Sequence, residues 1–360
     1  MLTYSCMDNS VAYVPLIMND SSPTVAKLSH WLRRSGSLPS GDITQIEIDL
    51  EHSTFISKLH FLTATYTSDA PPDLPRSLVV KSPLVQASGD GPEVQFYRDV
   101  APILATPPLV RCLAAIENSD GTPETIVIED LRATHNHLPW PLPPTRSQAE
   151  TAIDALAHVH ARYFEAASLG NTIGRHNTEE SLTSMLKGVI DQLPPFFDEF
   201  GDSLPADVRK LYERVFASSL KPWMRLTDRR ALTIIHGDAH SWNFLFPRSG
   251  SGPAYLIDWQ LWHIDVGARD LAFLMALHWW PNRRRELEAS LIERYHEALL
   301  SHGIANYSLD DLWLDYRRCV VRNLTIPIIR WSRGMKPESW WHQLECALAA
   351  YDDLDGDELL

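Results

Sequence analysis

Residues 236–243 read HGDAHSWN, and residues 256–260 read LIDWQ. Asp238, then Asn243, then Asp258 beyond a short turn is the arrangement that phosphoryl transfer needs. One carboxylate takes up or orients the proton of an attacking hydroxyl, while an amide oxygen and a second carboxylate hold the magnesium that neutralises a triphosphate. The flanking sequence fits such a site. Residues 232–235 (LTII) predict a buried strand entering the loop, and 244–246 (FLF) a strand leaving it. PRSGSG (247–252) is a turn, and 254–259 predict a returning strand that carries Asp258. Asn243 and Asp258 are therefore expected at the ends of adjoining strands.

The spacing H-x-D-x-x-x-x-N is that of the protein-kinase catalytic loop, with Gly237 in place of its arginine. HGDxxxxN resembles the aminoglycoside-phosphotransferase branch of the protein-kinase-like superfamily. The longer run DWQLWHIDVGARDLAFLM (258–275) resembles the ecdysteroid-kinase-like group, with its DxQ-type metal motif followed by a glycine and RDLA. RYHEALLSHGI (294–304) and YSLDDLWLDYRR (307–318) look like that group's C-terminal helices. The resemblance runs over most of the chain from about residue 45 and is weaker before Lys81. It implies an α+β, bilobal protein-kinase-like fold, with an antiparallel sheet plus helix in the N-lobe and a mainly helical C-lobe. It also implies ATP and Mg2+ as cofactors and a small-molecule hydroxyl as acceptor.

Composition sets the outer bounds. A chain of 360 residues, 44 % hydrophobic and 22 % charged, is long enough for two lobes. Its formal charge of −14 argues against nucleic-acid and anionic-membrane partners, which require basic surface. Cys6, Cys112, Cys319 and Cys346 form no CxxC pair, which speaks against structural zinc and a disulfide framework. A reduced, cytoplasmic setting is the expectation. The N-terminus lacks a basic region followed by a sustained apolar core, and no apolar run approaches a membrane span. Nothing in the pattern fixes an oligomeric state.

Alternation over 43–50 (ITQIEIDL) and 59–66 (LHFLTATY), followed by 77–81 (SLVVK), predicts three antiparallel strands. Residues 92–104 predict a helix with Val94, Tyr97, Val100 and Leu104 on one face, and 125–128 (TIVI) a further strand. The proline-rich link at 135–144 cannot continue a helix. Helical patterns follow at Ala152, Leu156, Val159 and Tyr163, at Leu287, Leu291, Tyr295 and Leu299, and behind a capping box of Ser308 with Asp311. These readings place an N-terminal arm at 1–24, a nucleotide-binding N-lobe at 25–132 and a catalytic, acceptor-binding C-lobe at 133–360.

Lys81 ends the third strand, where a cation is needed beside the α- and β-phosphates. By resemblance Glu93 is the helix glutamate that pairs with it, and Glu129 with Leu131 belongs to the hinge that binds adenine. His236 orders the loop by resemblance, and Asp270 in ARDLA braces the catalytic segment. A helix cap would also explain Asp270. Family members place glycine between the first two strands, but here that loop reads EHSTFIS, so Ser53, Thr54 or Ser57 would serve the phosphates. His240, Ser241 and Gln260 lie near enough in sequence to assist.

GDAH also resembles part of a metallophosphoesterase site, but the chain has no GNH and no further histidines at ligand spacing. Aromatics such as Trp279, Trp280, Trp331, Trp340 and Trp341, with Arg330 and Arg333 nearby, are more often core or interface than pocket. In the implied fold, however, the helical C-lobe supplies the acceptor cleft, and those of them that line it would suit a hydrophobic or polycyclic alcohol. The rivals are an antibiotic phosphotransferase for an aminoglycoside or macrolide, and a pseudokinase that binds without turnover.

Overall fold

Period-two alternation in the first third of the chain builds a five-stranded sheet that is antiparallel throughout. Its strands are β1 (Ile43–Ser53), β2 (Ser57–Tyr66), β3 (Ser77–Pro83), β4 (Cys112–Glu117) and β5 (Pro123–Glu129), in the spatial order β1-β2-β3-β5-β4. The computed structural model describes residues 22–54, 57–83, 92–104, 108–117, 123–218 and 229–360. Most of the expected N-terminal arm lies outside those residues. The chain forms two compact units, Met1–His137 with Leu245–Leu261, and Leu138–Phe244 with Trp262–Leu360.

In the first unit, helix α1 (Val25–Arg34) precedes the sheet. The Thr24 hydroxyl caps it by accepting from the Lys27 N–H. Leu28, Trp31 and Leu32 stand at i, i+3 and i+4 and close one face of the sheet against Leu62, Leu78, Val80, Leu113 and Val127. The expected helix over 92–104 is instead three pieces: α2 (Pro92–Gln95), a π-helical turn at Phe96–Val100 and a 3-10 turn at Ala101–Ile103. Pro102 has no N–H to extend an α-helical ladder. The wider π turn buries Phe96, Tyr97 and Val100 together.

The later strands are short. They are β6 (His135–Asn136), β7 (Leu232–Ile235), β8 (Phe244–Pro247), β9 (Tyr255–Leu256) and β10 (His263–Val266). β9 ends before Asp258, so that carboxylate sits past the strand rather than on it. Residues 245–261 belong with the first unit for a plain reason: β6, β8 and β9 share a sheet, and the Leu256 N–H donates to the Pro108 carbonyl at 2.9 Å.

The second unit is mainly helical: α3 (Arg146–Tyr163), α4 (Glu179–Phe200), α5 (Ala206–Ala217), α6 (Ala268–Met275), α7 (Pro281–Ser301), α8 (Leu309–Asn323), α9 (Thr325–Ser332) and α10 (Pro337–Asp353). The α3 start is a full capping box of Thr145 and Gln148, and Ser308 caps α8 by accepting from the Asp311 N–H. β7 pairs antiparallel with β10, a strand that the sequence reading left inside the 258–275 run. No helix among the described residues is long and apolar enough to cross a membrane.

The tryptophans of this unit are largely core rather than cleft. Trp279 and Trp340 are buried, and Trp331 and Trp341 pack on the cluster of Phe196, Phe197, Tyr212, Leu324 and Leu344. Trp280 is exposed. The Trp340 ring meets Phe200 edge-on at 5.1 Å, and its N–H donates to the Met335 carbonyl at 3.1 Å. Trp340→Ala should therefore destabilise this unit by about 3–5 kcal/mol in urea denaturation, the range for a truncated core aromatic. A loss below about 1 kcal/mol would contradict this packing.

Candidate functional site

The first unit gathers three of the sequence-predicted residues around one ammonium. Lys81 Nζ lies 2.6 Å from Glu93 Oε2 and 2.7 Å from Asp258 Oδ1. β3 supplies the lysine, α2 the glutamate and the segment after β9 the aspartate. Lys81 and Glu93 are nearly buried, with side chains 13 % and 10 % exposed, whereas Asp258 is 44 % exposed. Burial would pull the Lys81 ammonium toward neutrality, but the Glu93 and Asp258 carboxylates outweigh it and raise the pKa above the ordinary lysine value. One cation between two anions leaves local negative charge, a setting that draws a further cation.

Asp258 adopts φ +68°, the left-handed region that non-glycine residues seldom occupy. Its neighbour holds it there. Trp259 is fully buried and stacks on Phe96 with centroids 3.9 Å apart and planes 7° from parallel. Gln260 then turns inward, its amide donating to Ser57 Oγ at 3.4 Å and Glu93 Oε2 at 3.5 Å.

The hairpin end between β1 and β2 closes on itself. The Thr54 N–H and hydroxyl both donate to the Ser57 carbonyl, at 2.8 and 3.1 Å, and the Ser57 N–H donates to Thr54 Oγ1 at 3.0 Å. Thr54 is thus committed to the turn, Ser53 ends β1 in solvent, and Ser57 is buried beside Gln260. At the end of β5, the Glu129 N–H donates to the Arg111 carbonyl at 3.0 Å. The Leu131 carbonyl accepts from the N–H groups of Thr134 and His135, at 3.0 and 2.8 Å.

The second unit holds the HGDAHSWN loop, which leaves the buried strand β7. Asp270, on the first turn of α6, is fully buried and fixes the start of the loop. It accepts from the His236 N–H at 2.6 Å and the Gly237 N–H at 2.9 Å. His160 Nε2 stands 3.2 Å from the same carboxylate, and His160 Nδ1 is 2.8 Å from the Tyr295 hydroxyl. Burial pushes the Asp270 carboxyl upward, but the His160 and His236 contacts carry it below the usual range. Gly237 has φ +80°, a turn that explains glycine in place of a side chain.

Further along, the Asp238 N–H donates to His236 Nδ1 at 3.3 Å, and the His240 N–H donates to the Asp238 carbonyl at 2.8 Å. Asn243 Nδ2 donates to that carbonyl at 2.9 Å and approaches Asp238 Oδ2 at 3.4 Å. Because a carbonyl can only accept, this fixes Nδ2 as the donor and leaves Oδ1 as the acceptor of the amide. That oxygen and the exposed Asp258 carboxylate are the donor types a hard divalent cation prefers, so both residues fit magnesium. Ser241 accepts from the Trp279 indole N–H at 3.2 Å and is thereby structural.

Each Asp238 oxygen faces a nitrogen of a basic side chain. His240 Nε2 is 3.4 Å from Oδ2, and Arg330 Nη2 is 3.6 Å from Oδ1. Burial raises the Asp238 carboxyl, yet His240, Arg330 and His236 together hold it well below the ordinary carboxylate value. The sequence reading noted Arg330 only among the tryptophans and gave His160 and Tyr295 no role here. No local motif marks any of the three.

The ecdysteroid kinase-like family model matches residues 54–304, well over half of the chain. The chain belongs to the ecdysteroid kinase-like family. No curated protein matches it in sequence. Among solved structures, a spectinomycin phosphotransferase in complex with ADP and spectinomycin is 14 % identical, with a TM-score of 0.52 over 93 % of this chain and 99 % of the other. An ethanolamine kinase from Plasmodium vivax is 8 % identical, with a TM-score of 0.53 over 88 % and 84 %. The GDP complex of aminoglycoside 2'-phosphotransferase-IIIa is 14 % identical, with a TM-score of 0.51 over 93 % and 100 %. At such identities the likeness is one of fold, and this ecdysteroid kinase-like chain shares the mixed architecture of an antiparallel sheet and a helical remainder.

The Asp270 contacts generate a stability prediction with a definite sign. A carboxyl whose folded pKa is depressed contributes stability above its unfolded pKa and loses it as pH falls toward the folded value. Asp270→Asn should cost about 2 kcal/mol or more at pH 7, since it removes charge-assisted acceptance from two N–H groups. The gap from wild type should narrow as pH falls below about 4. Denaturation midpoints across that range are the check, and a gap that widens with acid would refute the assignment.

Proposed function

We propose that this protein is an ATP- and magnesium-dependent phosphotransferase acting on a hydroxyl of a small, hydrophobic or polycyclic molecule. The observation that carries the proposal is the seat of Lys81 between Glu93 and Asp258. A lysine held charged in this way suits the α- and β-phosphates of a nucleotide. Asp258 and Asn243 are the residues that would hold magnesium. Bound there, the ion would supply charge neutralisation for the triphosphate.

Asp238 has the acceptor role. With its carboxylate kept ionised, it receives the hydroxyl hydrogen bond and orients the oxygen for in-line attack. His236 and Asp270 keep the loop in shape for this. Glu129 and Leu131 offer backbone groups to the adenine, and the exposed Ser53 is the hairpin residue with a hydroxyl to offer the phosphates, Thr54 being spent on the turn.

The acceptor class rests on other rings than the tryptophan cluster first suggested. Trp242 lies 5.4 Å, centroid to centroid, from His240, and Trp140 lies 6.4 Å from Trp242. Apolar surface laid on such rings contributes about 25 cal/mol per Å² removed from water. Family membership favours the same class. A polycationic sugar would gain little from these rings.

Two measurements test this reading. Asp238→Asn should lower turnover by about 10²-fold or more while leaving Mg-ATP affinity nearly unchanged. Equal turnover in the two proteins would sink the role of Asp238. In a matched panel with mass-spectrometric detection, steroid-like, terpenoid or macrolide-type alcohols should be phosphorylated in preference to kanamycin-like sugars. Turnover of aminoglycosides alone would overturn the acceptor class and leave the transferase reading standing.

A further inference from the structure

Arg330 projects from α9, beyond residues 54–304 that the family model matches. Its side chain is only 20 % exposed. Among the described residues the guanidinium makes one ion pair, with Asp238 Oδ1 at 3.6 Å, and no hydrogen bond. Phe273 flanks it with the ring centroid 6.0 Å away. A guanidinium has five N–H donors, and no hydrogen bond to the described residues uses those of Arg330. The other carboxylate oxygen faces His240. His240 is 20 % exposed, and its Nδ1 is a buried atom without a hydrogen-bond partner. A guanidinium with unspent donors beside the residue that would orient the acceptor hydroxyl is suited to an oxygen-rich anion.

We infer that Arg330 is a phosphoryl-binding residue, supplied from this chain's own C-terminal helices, whose guanidinium takes the oxygens of the transferring phosphate beside Asp238. The inference rests on the phosphotransferase reading above. In the transfer, the bond from the γ-phosphorus to the β–γ bridging oxygen breaks and its electron pair leaves with ADP. The acceptor oxygen bonds to that phosphorus, and the hydroxyl proton passes to the Asp238 carboxylate. Negative charge on the phosphoryl oxygens is then greatest where a planar, permanently charged fork is most useful. An arginine placed so in other phosphoryl-transfer enzymes contributes about 10³-fold or more to turnover. Lysine would supply the charge without the paired donors.

The test is calorimetric titration of the full chain with Mg-ADP, with and without aluminium fluoride as the mimic of the transferring phosphoryl group. In wild type and in the exposed-site control Arg333→Gln, aluminium fluoride should tighten Mg-ADP binding by about tenfold or more. Arg330→Gln should lose that tightening and keep its affinity for Mg-ADP alone within about twofold. Arg330→Lys, which keeps the charge beside Asp238, should melt as wild type does and lose most of the tightening. Undiminished tightening in both Arg330 variants would overturn the inference, as would its absence in wild type. Failure of wild type to bind Mg-ADP at all is a separate result, which would sink the kinase reading and this inference with it. If Arg330 serves only to neutralise Asp238, then Asp238→Asn should restore the melting temperature of Arg330→Gln, and that double variant should still tighten with aluminium fluoride.

Discussion

The rest of the first unit is organised around a single ammonium shared by two carboxylates. Lys81, Glu93 and Asp258 come from three separate stretches of chain, so the cluster exists only when the sheet, the helix and the segment after β9 are all in place. Removing one member of a buried ion pair commonly costs about 3–5 kcal/mol, because the charge left behind has no water to stabilise it. The Phe96–Trp259 stack and the Gln260 amide are the means by which an aspartate in a left-handed conformation is kept against the lysine. The strain at Asp258 is thus paired with one of the most deeply buried contacts in the unit.

The second unit solves a different problem with similar means. A loop carrying Asp238 and Asn243 must keep its backbone fixed while its side chains stay available. Asp270 takes the two backbone N–H groups at the loop's start, and His160 with Tyr295 completes a chain of buried polar contacts behind it. Fully satisfied networks of this kind rigidify what they hold. The side chains toward the other end are the reverse case. Asn243 spends its Nδ2 on the loop and keeps its oxygen as an acceptor, and Arg330 keeps its donors unspent among the described residues. The groups that hold the loop are satisfied, and those proposed to meet a ligand keep polar atoms to spare, which is the contrast expected where a ligand completes a site.

Much of this was legible in sequence because the decisive signals are local. The HGDAHSWN and LIDWQ spacings, the alternation in β1 to β3 and the capping at Ser308 each lie within about a dozen residues. The fold class followed from the family resemblance that the first two of these carry. What escaped the pattern depends on tertiary contact. Helix α1 is recognisable only once Leu28, Trp31 and Leu32 have a sheet to cover. The π turn at Phe96–Val100 answers to Pro102 and to burial of three side chains at once. Asp258 was read as part of a strand because its apolar neighbours alternate, yet Trp259 pulls the chain into a left-handed turn there. Composition leaves open which tryptophans are core and which line a cleft, and only the packing shows that Trp279 and Trp340 are buried core. Arg330 reaches Asp238 from far along the chain, and no spacing rule connects the two.

The central claim is that the Lys81 cluster is a site for a nucleotide and its magnesium, and the Asp258 carboxylate is where it is most exposed to test. ATP should be titrated calorimetrically into wild type and Asp258→Ala, each with and without magnesium. The account predicts that magnesium strengthens ATP binding to wild type by about tenfold or more, and that Asp258→Ala loses this dependence. Magnesium-dependent binding of equal strength in both proteins would contradict it.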